Sequence, residues 1–135
     1  MLNNVHSSAV GWDVDVAQSE KEVSFFRNTI VRTLIGANAL FICASFLILG
    51  YFIRPTDTLL VLHYNVYFGV EIQGIWWQIF ILPIASLLFF LGHLWFAGRL
   101  YGNAERIAAY LMLLGAWLLN VGILIASASI AFINY

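Results

Sequence analysis

The chain has 135 residues, of which 62% are hydrophobic, 16% aromatic and only 10% charged, against about 25% charged in an ordinary soluble domain. The formal net charge is −1, which leaves no basic footprint for DNA or RNA. So short and apolar a chain cannot hide its own surface in one core. A soluble globular enzyme, a disordered regulator and a nucleic-acid binder are therefore excluded, and the expected solvent is the lipid bilayer.

Residues 1–18 form a weakly patterned amino-terminal segment, expected to be flexible or to lie on the membrane surface through Trp12. Met1 to His6 carry no basic residue and no cleavable apolar region follows, so they do not read as a secretory signal. No lipidation pattern is present either, and attachment is expected from spanning segments. The alternation Trp12-Asp13-Val14-Asp15-Val16 predicts an extended stretch. Ser19-Glu20-Lys21-Glu22 reads as a capping box, and its acids suit the positive end of a helix. The first helix is therefore predicted to start at about Ser19 and to run unbroken to Ile53, where Arg54-Pro55 stops it.

Three runs carry no acidic or basic residue apart from one histidine: residues 34–53, 75–97 and 107–133. Each reaches the ~20 residues that a bilayer core demands of a helix, and in hydrocarbon the backbone must satisfy itself. The expected fold class is all-α, a single three-helix membrane domain over residues 19–135. Lys21, Arg27 and Arg32 precede the first span, Arg54 follows it, and Arg99 and Arg106 lie between the second and third. An amino terminus inside places five of these six on the cytoplasmic side, so the prediction is amino terminus in and carboxy terminus out. The aromatic belts agree: Tyr51, Trp76, Trp77 and Tyr135 near the outer interface, Trp95, Tyr101 and Tyr110 near the inner one.

The loop over residues 56–74 is too apolar and aromatic for a solvated turn. Its β-branched and aromatic residues predict an extended or hairpin-like form resting on the bilayer surface, with Gly69 available for a turn. His63, Asn65 and Glu71 can satisfy its amides. His63 and Glu71 alone are too few for a zinc site, so neither metal nor cofactor is expected. His63, Tyr64, Asn65, Gly69 and Glu71 are the candidate outer-loop interaction residues.

A first span, an outer loop with Leu62-His63-Tyr64-Asn65 and a later Gly69, then a second span, resembles the domain of unknown function at the start of Sdp-immunity-type membrane proteins. The resemblance covers residues 34–97. It implies a small polytopic membrane protein whose loop packs at the outer face, and it carries over no catalytic role. The family's proline before the histidine is Leu62 here, and Val70-Glu71 stands in place of its Gly-x-Pro-Asp/Asn-like turn.

Within the spans the polar groups are few. His93 and Asn38 are expected to share a layer near the inner boundary and to hydrogen-bond between spans two and one. Asn120, at mid-span three, is expected at the depth of Ser45 and Ser86; it either pairs with them or faces its copy in an oligomer. Gln78 lies closer to the outer surface. Pro83 lacks an N–H for the Ile79 carbonyl, which predicts a kink in span two. Stripes of small residues (Gly36, Ala39, Cys43 and Gly50; Ala85 and Gly92; Gly115, Gly122, Ala126 and Ser129) suit close helix packing. Cys43, the only cysteine, reads as a small hydrophobe. The short connection over residues 98–106 makes spans two and three an antiparallel hairpin.

No phosphate loop, nucleophile-base pair or carboxylate pair is present. The expected role is that of a non-enzymatic structural, assembly or accessory subunit in the cell membrane, partnered by a membrane protein or by further copies of itself. An oligomeric channel or transporter, and an outer-face sensor or immunity-like protein, are the alternatives.

Overall fold

The first helix begins later than the sequence pattern predicts. In the computed structural model, which describes residues 24–135, Phe25–Arg27 form one 3-10 turn and helix α1 runs over Thr29–Phe52. Between them Asn28 is extended (φ −71°, ψ 126°), and its side-chain oxygen accepts from the amides of Ile30 and Val31 at 2.9 and 3.3 Å. An asparagine in this role satisfies otherwise free first-turn N–H groups and fixes the helix start. The expected continuous helix from about Ser19 is thus interrupted at residues 24–28. Ser19, its capping box and the segment 1–18 lie outside the described residues. At the other end, Ile53 is extended ahead of Arg54-Pro55, where the proline was expected to end the helix.

The outer connection is a hairpin, so the fold is three helices with a small two-stranded sheet rather than all-α. Strand β1 (Leu60–Asn65) pairs antiparallel with β2 (Gly69–Gly74), Leu60 facing Gly74, Tyr64 facing Val70 and Asn65 facing Gly69. The pairing is irregular between Val61 and Tyr64. Gly69 takes φ +80°, a conformation that glycine adopts without a Cβ penalty. Gly74 is closely packed for another reason: a Cβ there would displace the side-chain ends of Gln78 and Leu62.

A 3-10 segment, Trp76–Phe80, leads directly into α2 (Ile81–Gly102). Pro83 therefore sits in the first turn of α2, where an N–H would have no intrahelical carbonyl to meet. It forms part of the start of α2, and the departure from α geometry lies in the 3-10 turns just before it, which include Ile79. A tight turn with Ala104 at φ 64° reverses the chain into α3 (Arg106–Ile133). The helical stretches Thr29–Phe52, Trp76–Gly102 and Arg106–Asn134 are long and apolar enough to cross a membrane, with mean hydropathies of 2.0, 2.1 and 2.1.

Helix α3 packs against both α1 and α2, which touch each other little. Its register against α1 is constant: Asn28 meets Tyr110 and Asn38 meets Asn120, each pair 82 residues apart. A fixed offset means that α1 and α3 run parallel. Buried Val31, Asn38 and Ser45 recur at heptad spacing on α1, as Leu113, Asn120 and Ser127 do on α3, the pattern of a left-handed crossing. Because these seams face inward, the small-residue stripes fall on the outside. Gly36, Ala39, Cys43, Gly50, Gly92, Gly115 and Gly122 are exposed, and a Cβ at any of the five glycines would meet nothing within 4 Å. Close approach inside the bundle relies instead on Ala97, Ala109, Ala116 and Ala131.

Candidate functional site

The buried polar layer at mid-bundle is built by one side chain from each helix. Asn120 Nδ2 donates to Asn38 Oδ1 at 2.6 Å, and Ser86 Oγ donates to Asn120 Oδ1. Asn38 Nδ2 in turn donates to the Leu34 carbonyl at 2.8 Å and the Leu113 carbonyl at 3.3 Å. All three residues are almost fully buried. The layer ties α1, α2 and α3 together and holds no titratable group. It has donors matched to acceptors, which is what a low-dielectric interior requires of polar groups.

Of the predicted pairings, Asn120 with Ser86 is made and two others are not. His93 does not reach Asn38; its Nδ1–H donates to the Phe89 carbonyl one turn back, at 2.8 Å. The helix is rotated so that Ser86, Phe90 and Ala97 face the core while His93 stands at its margin. Ser45 is buried but bonds the Phe41 carbonyl of its own helix at 2.9 Å. It lies two turns from Asn38, too far along the axis to join the Asn120 layer. Asn120 is buried within the one chain and does not face outward toward a second copy. Ser127, at the register position of Ser45, has a buried hydroxyl with no hydrogen-bond partner among the described residues.

The five outer-loop residues all lie on the hairpin. His63 Nε2 and Glu71 Oε2 stand 3.2 Å apart, Asn65 Nδ2 donates to Glu71 Oε1 at 3.2 Å, and Asn65 Oδ1 accepts from the Tyr67 amide at 2.9 Å. One carboxylate thus braces both strands beside the Gly69 turn. The His63 and Glu71 side chains are 58% and 37% exposed, so the pair orders the hairpin more than it stabilises the fold. Beyond it project Val66, Tyr67 and Phe68, between 81% and 90% exposed. Tyr64 and His63 also line a cavity of about 200 Å³ shared with Leu82, Ala126 and Ser129. Among the described residues no three histidine, cysteine or acidic side chains gather as a metal site would require.

Two polar anchors escaped the sequence reading. Asn28 Nδ2 donates to the hydroxyls of Tyr110 at 2.8 Å and Tyr101 at 3.2 Å, locking the start of α1 to the α2–α3 turn. Asn134 grips the hairpin: its Oδ1 accepts from the Val61 amide at 2.7 Å and its Nδ2 donates to the Val61 carbonyl at 2.8 Å. Both asparagines flank apolar runs, the place where capping residues belong. Gln78 holds the 3-10 segment, its Oε1 accepting from the Ile75 amide at 3.0 Å.

Compared with protein-family models, with curated proteins and with solved structures, the chain matches none.

Proposed function

We propose that the protein is an integral membrane protein serving as a structural, assembly or accessory subunit, without catalysis of its own. Its amino terminus faces the cytoplasm, its carboxy terminus the outside, and the cell membrane is its location. The observation that carries this reading is the Asn38–Asn120–Ser86 layer: the spans' central polar groups bind one another, so they serve helix packing, while the outward surface is apolar and suits lipid or another helix. The test is the native mass of the chain extracted in nanodiscs, with every copurifying protein identified. A stoichiometric membrane-protein partner is the expected result. An isolated chain that turns over a substrate would overturn the reading.

The exposed hairpin tip favours one second reading, an outer-face sensor or immunity-like protein, in keeping with the resemblance carried by Leu62-His63-Tyr64-Asn65 and Gly69. Replacing residues 63–71 with a polar linker should then abolish the cellular phenotype; an unchanged phenotype rejects this role.

A further inference from the structure

At the end of the bundle opposite the hairpin, two cavities adjoin. One is a notch of about 230 Å³ bordered by Ser24, Tyr101, Arg106 and the backbone around Gly102 and Ala104. The other is an open groove of about 420 Å³ walled by Phe25, Phe26, Leu91, Leu94 and Trp95, with Arg99 also on its lining. Phe25 and Gly98 border both, so the polar notch continues into the apolar groove. Both arginines are held over aromatic rings: the Arg99 guanidinium lies 5.1 Å from the Trp95 ring centre, and that of Arg106 5.7 Å from the Tyr101 ring centre. Such contacts orient a guanidinium without neutralising it. Arg27 and Arg32 stand at the same end, and Glu105 is the one carboxylate there among the described residues. None of the four arginines is ion-paired among the described residues.

We propose that this end of the protein binds one anionic phospholipid, its phosphodiester headgroup where the notch bearing Arg106 meets the groove edged by Arg99, and an acyl chain in the groove along α2. The proposal rests on the bilayer reading above. The notch supplies charge complementarity, since basic pockets beside membrane helices recruit anionic headgroups. The groove distinguishes a lipid from free phosphate: from Gly98 to Leu91 it descends about 10 Å along the helix axis, over apolar surface that a hydrocarbon chain complements and a free phosphate does not. Gly98, at the junction, leaves the passage open, because an added Cβ there meets nothing within 4 Å.

The test uses the full chain in nanodiscs of equal parts phosphatidylglycerol and phosphatidylcholine, released into mild detergent for native mass measurement. One phosphatidylglycerol per chain should be retained in preference to phosphatidylcholine. Arg99→Gln with Arg106→Gln should reduce that preference about five-fold for each charge removed. Gly98→Leu, whose Cβ meets nothing within 4 Å, should project into the groove and lower retention of phosphatidylglycerol. Arg54→Gln, at the hairpin end, should change nothing. Equal retention of the two lipids by the wild-type chain overturns the site, as does retention unaffected by either the double arginine variant or Gly98→Leu. Displacement of the lipid by equimolar glycerol phosphate would also overturn it, since the headgroup alone would then suffice. A chain washed from membranes by alkaline carbonate, before any lipid is scored, marks failure of the bilayer reading instead.

Discussion

Asn120 holds two other helices at once, accepting from Ser86 and donating to Asn38. Its replacement leaves both partners buried without it. Asn120→Leu is expected to destabilise the fold by about 1–3 kcal/mol, the usual cost of orphaning buried polar groups. Reversible unfolding in bicelles measures this, and a double-mutant cycle with Asn38→Ala should give a coupling of about 0.6 and at most ~1.7 kcal/mol. Ser127 predicts the opposite sign. Its hydroxyl is buried and unpaired among the described residues, so Ser127→Ala should leave stability unchanged or raise it by up to about 1 kcal/mol; a loss above that size would mean that the hydroxyl has a partner. The sequence made the Asn120–Ser86 pair legible because helical rise fixes depth in a span. It misassigned His93 because depth says nothing of rotation about the helix axis. His93 and Ser86 are seven residues apart, close in azimuth, yet the core faces Phe90 and Ala97, and that small angular offset leaves His93 at the margin.

At the scale of elements, asparagines decide where structure starts and stops. Asn28→Ala removes the cap of α1 together with two tyrosine contacts. The cap alone is worth about 0.5–2 kcal/mol, and the measured loss should reach the upper half of that range because the tie to the α2–α3 turn goes with it. A loss below about 0.5 kcal/mol would contradict the assigned role. The start of α1 was hidden in the sequence because no local capping box marks Asn28 as a cap, and its tie to Tyr101 and Tyr110 comes from far along the chain. The hairpin was more legible: β-branched and aromatic residues around Gly69 disfavour a helix. Its attachment was not, since Asn134 acts as a substitute neighbouring strand for Val61 only once α3 brings it there. Asn134→Ala should raise amide exchange across Leu60–Asn65 while leaving the middle of α3 protected. Exchange unchanged at Val61 would refute the clamp.

For the whole molecule, the arrangement separates internal cohesion from external contact. The inward faces of the three helices carry the buried polar and alanine positions, while the glycine stripes and the hairpin tip face outward. The small-residue pattern was visible in the sequence, but its direction depends on the seam opposite it, and that seam emerges only from the shared offset of Asn28–Tyr110 and Asn38–Asn120. The proposed role requires above all a chain that crosses the bilayer three times, with its arginine-bearing turn inside and its hairpin outside. Two-sided labelling with a membrane-impermeant maleimide tests this most directly, because Cys43 lies within α1 on its exposed face and, in a spanning helix, serves as an internal blank. The account predicts that Asn103→Cys reacts only from the cytoplasmic side, Tyr67→Cys only from the outside, and Cys43 from neither; reaction of positions 103 and 67 from the same side would contradict it.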